Sequence, residues 1–313
     1  MADRPATDVA GLRTGGSPLA TAPRGGAYAM PARLAVAWPR LQRLVLTMLA
    51  YLALSAFALF FLMPFVWMVS GSLKSMEETF SVPPRLIPKV WHWYNYPTAL
   101  TYVPFLLYLR NSLFLCFSTI VGTLLSCTLV AYSLSRVRWF GRGPLFAVVL
   151  ASMMLPGQVT MIPLFITFRK LGWVGTYLPL IVPSFFGSAY YIFLIRQFFL
   201  TLPEALLDAA RIDGAGEFRI YWQIMLPLSL PVLSTVTLFT FLSTWNDFMG
   251  PLIYLSRQEL WTIAIGLRGF QDQHGWKWEL LMAAATIFSL PSMILYLWVQ
   301  RSFVRGIVTT GLK

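Results

Sequence analysis

Charge is what this sequence has least of. Only 12% of its 313 residues are Asp, Glu, Lys or Arg, about half the share of a soluble globular domain. That deficit excludes an ordinary water-soluble enzyme or binding module. Cysteine is nearly absent as well. Cys116 and Cys127 share one apolar run, about 16 Å apart if it is helical. They therefore cannot bond to each other and read as buried small hydrophobes. The two histidines, His92 and His274, are far apart with no Cys or His at ligand spacing, so no metal site is expected. No lysine follows a glycine, so the backbone cradle and Lys of a P-loop are missing. There is also no G-x-S-x-G elbow for a nucleophilic serine. The chain carries no visible engine of its own.

What is there is apolar. Hydrophobic residues make up 57%, mean hydropathy is +0.66, and several runs approach 20 residues. This is the pattern of an all-α polytopic membrane protein embedded in a lipid bilayer. Spans are expected at about 44–70, 111–135, 145–168, 177–195, 228–255 and 280–299, within a transmembrane domain 44–299. Residues 1–43, rich in Ala, Gly, Pro, Thr and Arg without an apolar period, read as a disordered tail. They are not a signal peptide, because the first apolar run begins only at Leu44 and is too long for an h-region. Residues 300–313 form a second tail.

Six spans put both termini on one side. The placement of Lys and Arg along the chain says which side. Arg4, Arg13, Arg24, Arg33, Arg40 and Arg43 precede the first span. Arg136, Arg138 and Arg142 crowd the short second loop, Arg196, Arg211 and Arg219 lie in the fourth, and Arg301, Arg305 and Lys313 close the chain. The other side holds the smaller share. Both termini and the 196–227 loop are therefore expected in the cytoplasm. The basic residues flank spans rather than form a patch interleaved with aromatics, so no nucleic-acid partner is expected.

Several features leave two readings open. Trp91, Trp93, Tyr94, Tyr96, Tyr102, Trp261, Trp276 and Trp278 populate the outward loops. They suit either an interfacial aromatic belt or a surface for an extracytoplasmic partner. Ser118, Gly122 and Ser126 share one helix face, and such small residues permit close helix approach in lipid, as Ala283–Ala285 could in the last span. Asp247 is the only acid well inside an expected span, about 28 Å along the fifth helix from its start. With Asn246 it forms either an interfacial packing pair or a polar element of a solute path. An ion-coupled, stand-alone secondary transporter using Asp247 is the alternative of a different class. Against it, no second intramembrane carboxylate or His stands near. Phe185, Tyr190 and Tyr191 are packing aromatics or groups that stack on a solute.

The stretch Leu202–Pro231 is different in kind: polar, helix-prone and set between two apolar runs. Thr201 followed by Glu204 fits a capping box, and Pro203 is acceptable in a first turn. Ala205, Leu206, Ala209, Ala210 and Arg211 favour helix, and Asp213-Gly214 supplies a stop. A small-faced helix with Glu204 and Asp208 at its surface can lie in a groove of another protein.

Asp208-Ala209-Ala210-Arg211-Ile212-Asp213-Gly214-Ala215, with Ile224-Met225-Leu226-Pro227 beyond, resembles the EAA motif of ABC importer permeases. Asn111-Ser112-Leu113, Ala131-Tyr132-Ser133-Leu134-Ser135-Arg136, Met161-Ile162-Pro163-Leu164, Trp245-Asn246-Asp247-Phe248 and Arg301-Ser302-Phe303-Val304-Arg305-Gly306 resemble the binding-protein-dependent carbohydrate branch. The smaller permease subunit of the maltose transporter typifies that branch. The likeness covers roughly Leu44–Lys313. One departure is Asp208, which stands where the family usually has Glu and reaches one methylene less far. Glu204 lies one turn earlier.

The resemblance implies a type I permease fold with six helices, in the cell membrane of a prokaryote. It implies a second permease subunit as partner, two cytoplasmic ATPase subunits and an extracytoplasmic solute-binding protein. ATP and Mg would sit on the ATPases, with no cofactor on this chain and no catalytic residue in it. Glu204, Ala205, Asp208, Ala209, Ala210, Arg211, Asp213, Gly214 and Ala215 would form the coupling helix and its stop. Tyr190, Tyr191, Asn246 and Asp247, by their own chemistry, are the candidates for the translocation path of a sugar or oligosaccharide, with packing as the other reading. Thr309–Lys313 resembles a tail that enters the ATPase interface.

Overall fold

The computed structural model describes residues 32–272 and 275–310, with side chains over 42–271 and 275–300. Most of the proposed N-terminal tail, His274 and the end of the C-terminal tail lie outside the described residues. By internal packing the chain divides into Met1–Phe61 and Leu62–Lys313. Helix α1, Ala32–Ser72, begins upstream of the expected span start at Leu44. All packing described below belongs to the second unit.

That unit is organised by α2, Phe105–Ser135, which starts six residues before the expected Asn111. Beyond it, the apolar runs are repeatedly broken. The expected third span consists of α3, Arg142–Ser152, and α4, Gly157–Lys170, bent by 97°. Pro156 causes the break, since it lacks an N–H and disfavours helix at Leu155 before it. The fourth begins as a short turn, Leu178–Ile181, and tightens to 3-10 geometry over Val182–Phe186. It then turns through Gly187, at φ 88°, into α5, Ala189–Thr201.

The polar insert contributes α6, Glu204–Ile212, followed by a helical stretch from Glu217 to Leu228 that includes a π-turn at Tyr221–Met225. Helix α7, Leu230–Trp245, leaves that stretch at 77°. Its bend falls at Ser229, between Pro227 and Pro231. The last helix, α8, is Trp278–Thr310. Among the described residues, four helices are long and apolar enough to cross a membrane, and six spans result if each bent pair counts as one. One element was not expected in an all-α chain. A two-stranded hairpin pairs β1, Gln271–Asp272, with β2, Gly275–Trp276.

Two cores hold the unit together. One gathers Ala131, Tyr132 and Leu134 of α2, Ile195 and Phe199 of α5, Leu207 of α6, and Ile220, Tyr221 and Met225. The other joins Phe105, Tyr108 and Cys116 of α2 to Phe241 and Trp245 of α7 and Ala283 and Ala284 of α8. There Trp245 stacks between Phe241 and Phe288, with both centroid distances 5.3 Å, and its indole N–H donates to the Phe288 carbonyl at 3.1 Å. The small residues of α2 do admit a close neighbour. A side chain at Gly122 would meet Phe185 Cδ2 at 2.7 Å, and Ser126 Oγ donates to the Ser184 carbonyl at 2.9 Å.

At the end opposite the insert, α2 also organises the loops. Asn111 Nδ2 donates to the carbonyls of Glu259 and Trp261 at 2.8 and 3.0 Å, and Ser112 Oγ accepts from Ile263 N–H at 2.9 Å. Asn95 likewise binds the carbonyls of Ser72 and Lys74, both at 2.9 Å. Lys74 is buried, donating to the Arg85 carbonyl and lying 4.8 Å from the centre of the Trp67 ring. Burial lowers its proton affinity, partly opposed by Glu78. Among the loop aromatics, Trp91 and Trp93 stack at 5.9 Å and are exposed, whereas the Tyr96 hydroxyl pairs with Ser72 Oγ at 2.8 Å.

The polar insert and the candidate solute path

The geometry of the insert starts from its two ends. Thr201 does not cap α6. It closes α5, with its hydroxyl donating back to the Phe198 carbonyl at 2.7 Å, and Pro203 in extended geometry (ψ 130°) occupies the cap position. The expected capping box therefore does not form. Because the N-cap falls at Pro203, Glu204 becomes the first helical residue rather than N3. Its carboxylate turns outward to Arg138, 3.4 Å away in a solvent-exposed pair. At the other end Gly214 adopts φ 80°. That conformation lets Gly214 N–H and Ala215 N–H return to the carbonyls of Arg211 and Ala210 at 3.0 and 2.9 Å. The carbonyls left free at the helix end are thereby satisfied, as left-handed glycine stops do.

One side of α6 is tied down and the rest is free. Leu207, 1% exposed, enters the core beneath. Glu204, Ala205, Asp208, Ala209, Asp213 and Gly214 face out, while Ala210, Arg211 and Ala215 are half-buried. Leu206, Ile212, Phe218 and Trp222 are 46%, 86%, 73% and 57% exposed, an apolar set around the acidic residues. Arg211 is held inside the chain. Its Nε donates to Glu217 Oε1 at 3.0 Å and its NH1 to Asp208 Oδ1 at 2.9 Å. The hydrogen bond to Glu217, then that to Asp208, raises its proton affinity against the opposing effect of desolvation.

Two residues that sequence reasoning did not single out fasten this insert to α2. Arg136 donates to the carbonyls of Phe199 and Leu202, the latter at 2.5 Å, and so fixes the exit of α5. Tyr132 donates its hydroxyl to Glu217 Oε2 at 2.5 Å. Both lie in the Ala131–Arg136 run, so the signal was present. Nothing in the sequence said that residues 85 positions apart would meet.

The candidate path residues are less united. Tyr190 and Tyr191 open α5 after Gly187, in edge-to-face contact at 5.4 Å. Tyr190 is exposed and Tyr191 half-buried. Asn246 and Asp247 sit not within a helix but in the break between α7 and the turn Met249–Tyr254. Short polar side chains compete for backbone hydrogen bonds and end the helix there. Asn246 Nδ2 donates to the Leu242 carbonyl at 2.8 Å, and Asp247 Oδ1 accepts from Gly250 N–H at 3.0 Å. Asp247 thus caps the following turn. Among the described residues, no three His, Cys, Asp or Glu side chains gather as a metal cage.

Residues 118–309 match the family of binding-protein-dependent transport system inner membrane components. The chain belongs to that family. Its members are permease subunits of transporters rather than enzymes. The probable ABC transporter permease protein YurM of Bacillus subtilis (strain 168) is 35% identical over 251 residues, covering 80% of this chain and 83% of the relative. The arabinooligosaccharides transport system permease protein AraQ of the same strain is 34% identical over 259 residues, covering 82% and 92%. The sn-glycerol-3-phosphate transport system permease protein UgpE of Yersinia enterocolitica is 35% identical over 252 residues, covering 78% and 89%. A crystal structure of a bacterial ABC transporter involved in import of the acidic polysaccharide alginate superposes with a TM-score of 0.74. It covers 83% of this permease and 96% of that chain at 24% identity. The alginate transporter in complex with its pentasaccharide-bound periplasmic protein gives 0.61 over 84% and 95%, at 15% identity. Those two likenesses establish the ABC importer permease fold.

Proposed function

We propose that this chain is one of two permease subunits of an ATP-driven importer for a sugar or oligosaccharide, set in the cell membrane of a prokaryote. It contributes six spans, with α3/α4 and the pair bent at Ser229 each counted as one, and keeps both termini and the insert in the cytoplasm. A related permease completes the path. Two ATPase subunits carry ATP and Mg below, and an extracytoplasmic binding protein delivers the solute. This chain binds no cofactor. Tyr190, Tyr191, Asn246 and Asp247 remain its candidate path residues. The carbohydrate assignment draws on relatives whose names specify arabinooligosaccharides and on a neighbour that imports alginate.

One observation carries the proposal. Helix α6 buries Leu207, with Ala210 half-buried beside it, and leaves Leu206, Ile212, Phe218 and Trp222 exposed around Glu204 and Asp208. An amphipathic helix presented in this way fits a groove in another protein, and the groove here belongs to the ATPase. A photo-crosslinking side chain at Ile212 should capture an ATPase subunit in native membranes, and one at buried Leu207 should not. Capture of lipid alone from Ile212, or of the ATPase equally from both positions, would overturn the assignment.

A further inference from the structure

Helix α6 is joined to the next helical stretch by Asp213-Gly214-Ala215-Gly216, and a side chain at either glycine would touch nothing within 4 Å. Such a turn is a natural hinge. Leu207 couples α6 to the core beneath it, but across the turn itself a push on the exposed face of α6 would be absorbed unless something bridges it. Something does. Arg211, in the last turn of α6, grips Glu217 on the far side of the hinge at 3.0 Å, and also Asp208 one turn back at 2.9 Å. The second oxygen of Glu217 takes the Tyr132 hydroxyl at 2.5 Å.

The two links differ in strength. The Arg211 pairs are solvent-exposed and by themselves contribute little. The Tyr132–Glu217 bond is charge-assisted and short, and Tyr132 is only 5% exposed. Its ring is wedged between Phe199 at 6.4 Å and Tyr221 at 5.4 Å. One turn earlier on α2, Thr128 Oγ1 meets the Tyr221 hydroxyl at 2.7 Å. Both carboxylate oxygens of Glu217 are thus engaged, Oε2 by the Tyr132 hydroxyl and Oε1 by Arg211.

We propose that Tyr132–Glu217–Arg211 is a strut that locks the hinge and carries displacement of α6 into α2, with Glu217 as the positioning residue. It also gives Asp208 an internal task, steadying Arg211, beside any contact it makes outside the chain. The inference rests on the functional reading above.

The test uses the whole complex, purified through a tag on this chain and placed in lipid nanodiscs. Amide exchange is compared before and after trapping with Mg, ATP and vanadate, for the wild type, Glu217→Gln and Tyr132→Phe. Tyr132→Phe removes one oxygen and keeps the ring, so it serves if Glu217→Gln folds poorly. Both variants should bring down the ATPase and hydrolyse ATP as the wild type does. Trapping should alter exchange in peptides 204–216 of all three, but in peptides 128–140 of the wild type only. A purely structural role would change baseline exchange without abolishing that selective response. A wild-type response at 128–140 in both variants overturns the strut, as does loss of the ATPase from both. A wild-type chain that brings down no ATPase overturns the functional reading instead, and the strut with it.

Discussion

Gly214 separates backbone strain from docking more cleanly than any other position. At φ 80° an L-residue with a Cβ costs about 1–2 kcal/mol, and Asn less. Nothing lies within 4 Å of where that Cβ would stand, so this chain adds no steric penalty of its own. Gly214→Asn should therefore be nearly silent in thermal unfolding, and Gly214→Ala and Gly214→Trp should lower Tm by only about 2–4 °C. Docking behaves differently. Burying Leu206 or Ile212 in a partner groove is worth about 1.5–3 kcal/mol each. An indole that keeps α6 out of the groove forfeits at least one such contact, or about tenfold or more in affinity. The assay is the amount of ATPase retained on tagged chain at dilute protein, alongside a thermal scan. The expected order of retention is wild type, Asn, Ala and then Trp, with the large step at Trp. If Trp retains the ATPase as well as Ala does, α6 does not enter a groove at this end and the reasoning fails.

Other positions test other joints of the structure. Arg136→Ala should cost about 3 kcal/mol, the value of charge-assisted bonds to two carbonyls. Arg136→Lys should recover part of that loss in a thermal scan, because a single guanidinium nitrogen makes both bonds, to Phe199 and Leu202, and an ammonium with three donors can serve the same two carbonyls. Gly122→Leu overpacks α2 against Ser184 and Phe185 and should destabilise by about 1–3 kcal/mol, read as a lower melting point of the detergent-purified chain. Asn111→Ala should free residues 257–262 to exchange and proteolysis, through loss of the bonds to Glu259 and Trp261, while leaving ATPase retention intact. Asp247→Asn keeps an oxygen for Gly250 N–H and should leave membrane uptake near normal; abolished uptake would revive an ion-coupling role for that side chain.

Much of this was legible in the sequence because lipid imposes simple demands. Apolar runs and small-residue stripes follow from burying helices in hydrocarbon, and Gly122 and Ser126 lie where such a stripe would put them. Breaks were less legible. Pro156, Gly187 and the Pro227/Pro231 pair were visible, but composition cannot say whether a proline bends a span by 97° or merely tilts it. The insert shows the same limit. Its stop at Gly214 was readable from local chemistry, while the capping box at Thr201 was not to be had, because α5 runs on through that residue. The Tyr132–Glu217 bond joins α2 to the insert; Tyr132 lay in a recognisable run, but nothing local paired it with a residue 85 positions away. Asp247 read as part of a helical span only because the end of α7 at Trp245 could not be seen in an unbroken apolar run.

The central claim is that this chain receives force from an engine on other chains. Its most direct test is purification of the tagged chain from native membranes in mild detergent, followed by assay of vanadate-sensitive ATP hydrolysis in the eluate. The account predicts that an ATPase chain and a second permease elute with it and that the eluate hydrolyses ATP. A chain that elutes alone, with no ATP hydrolysis above background under conditions that preserve uptake in the same membranes, would contradict it.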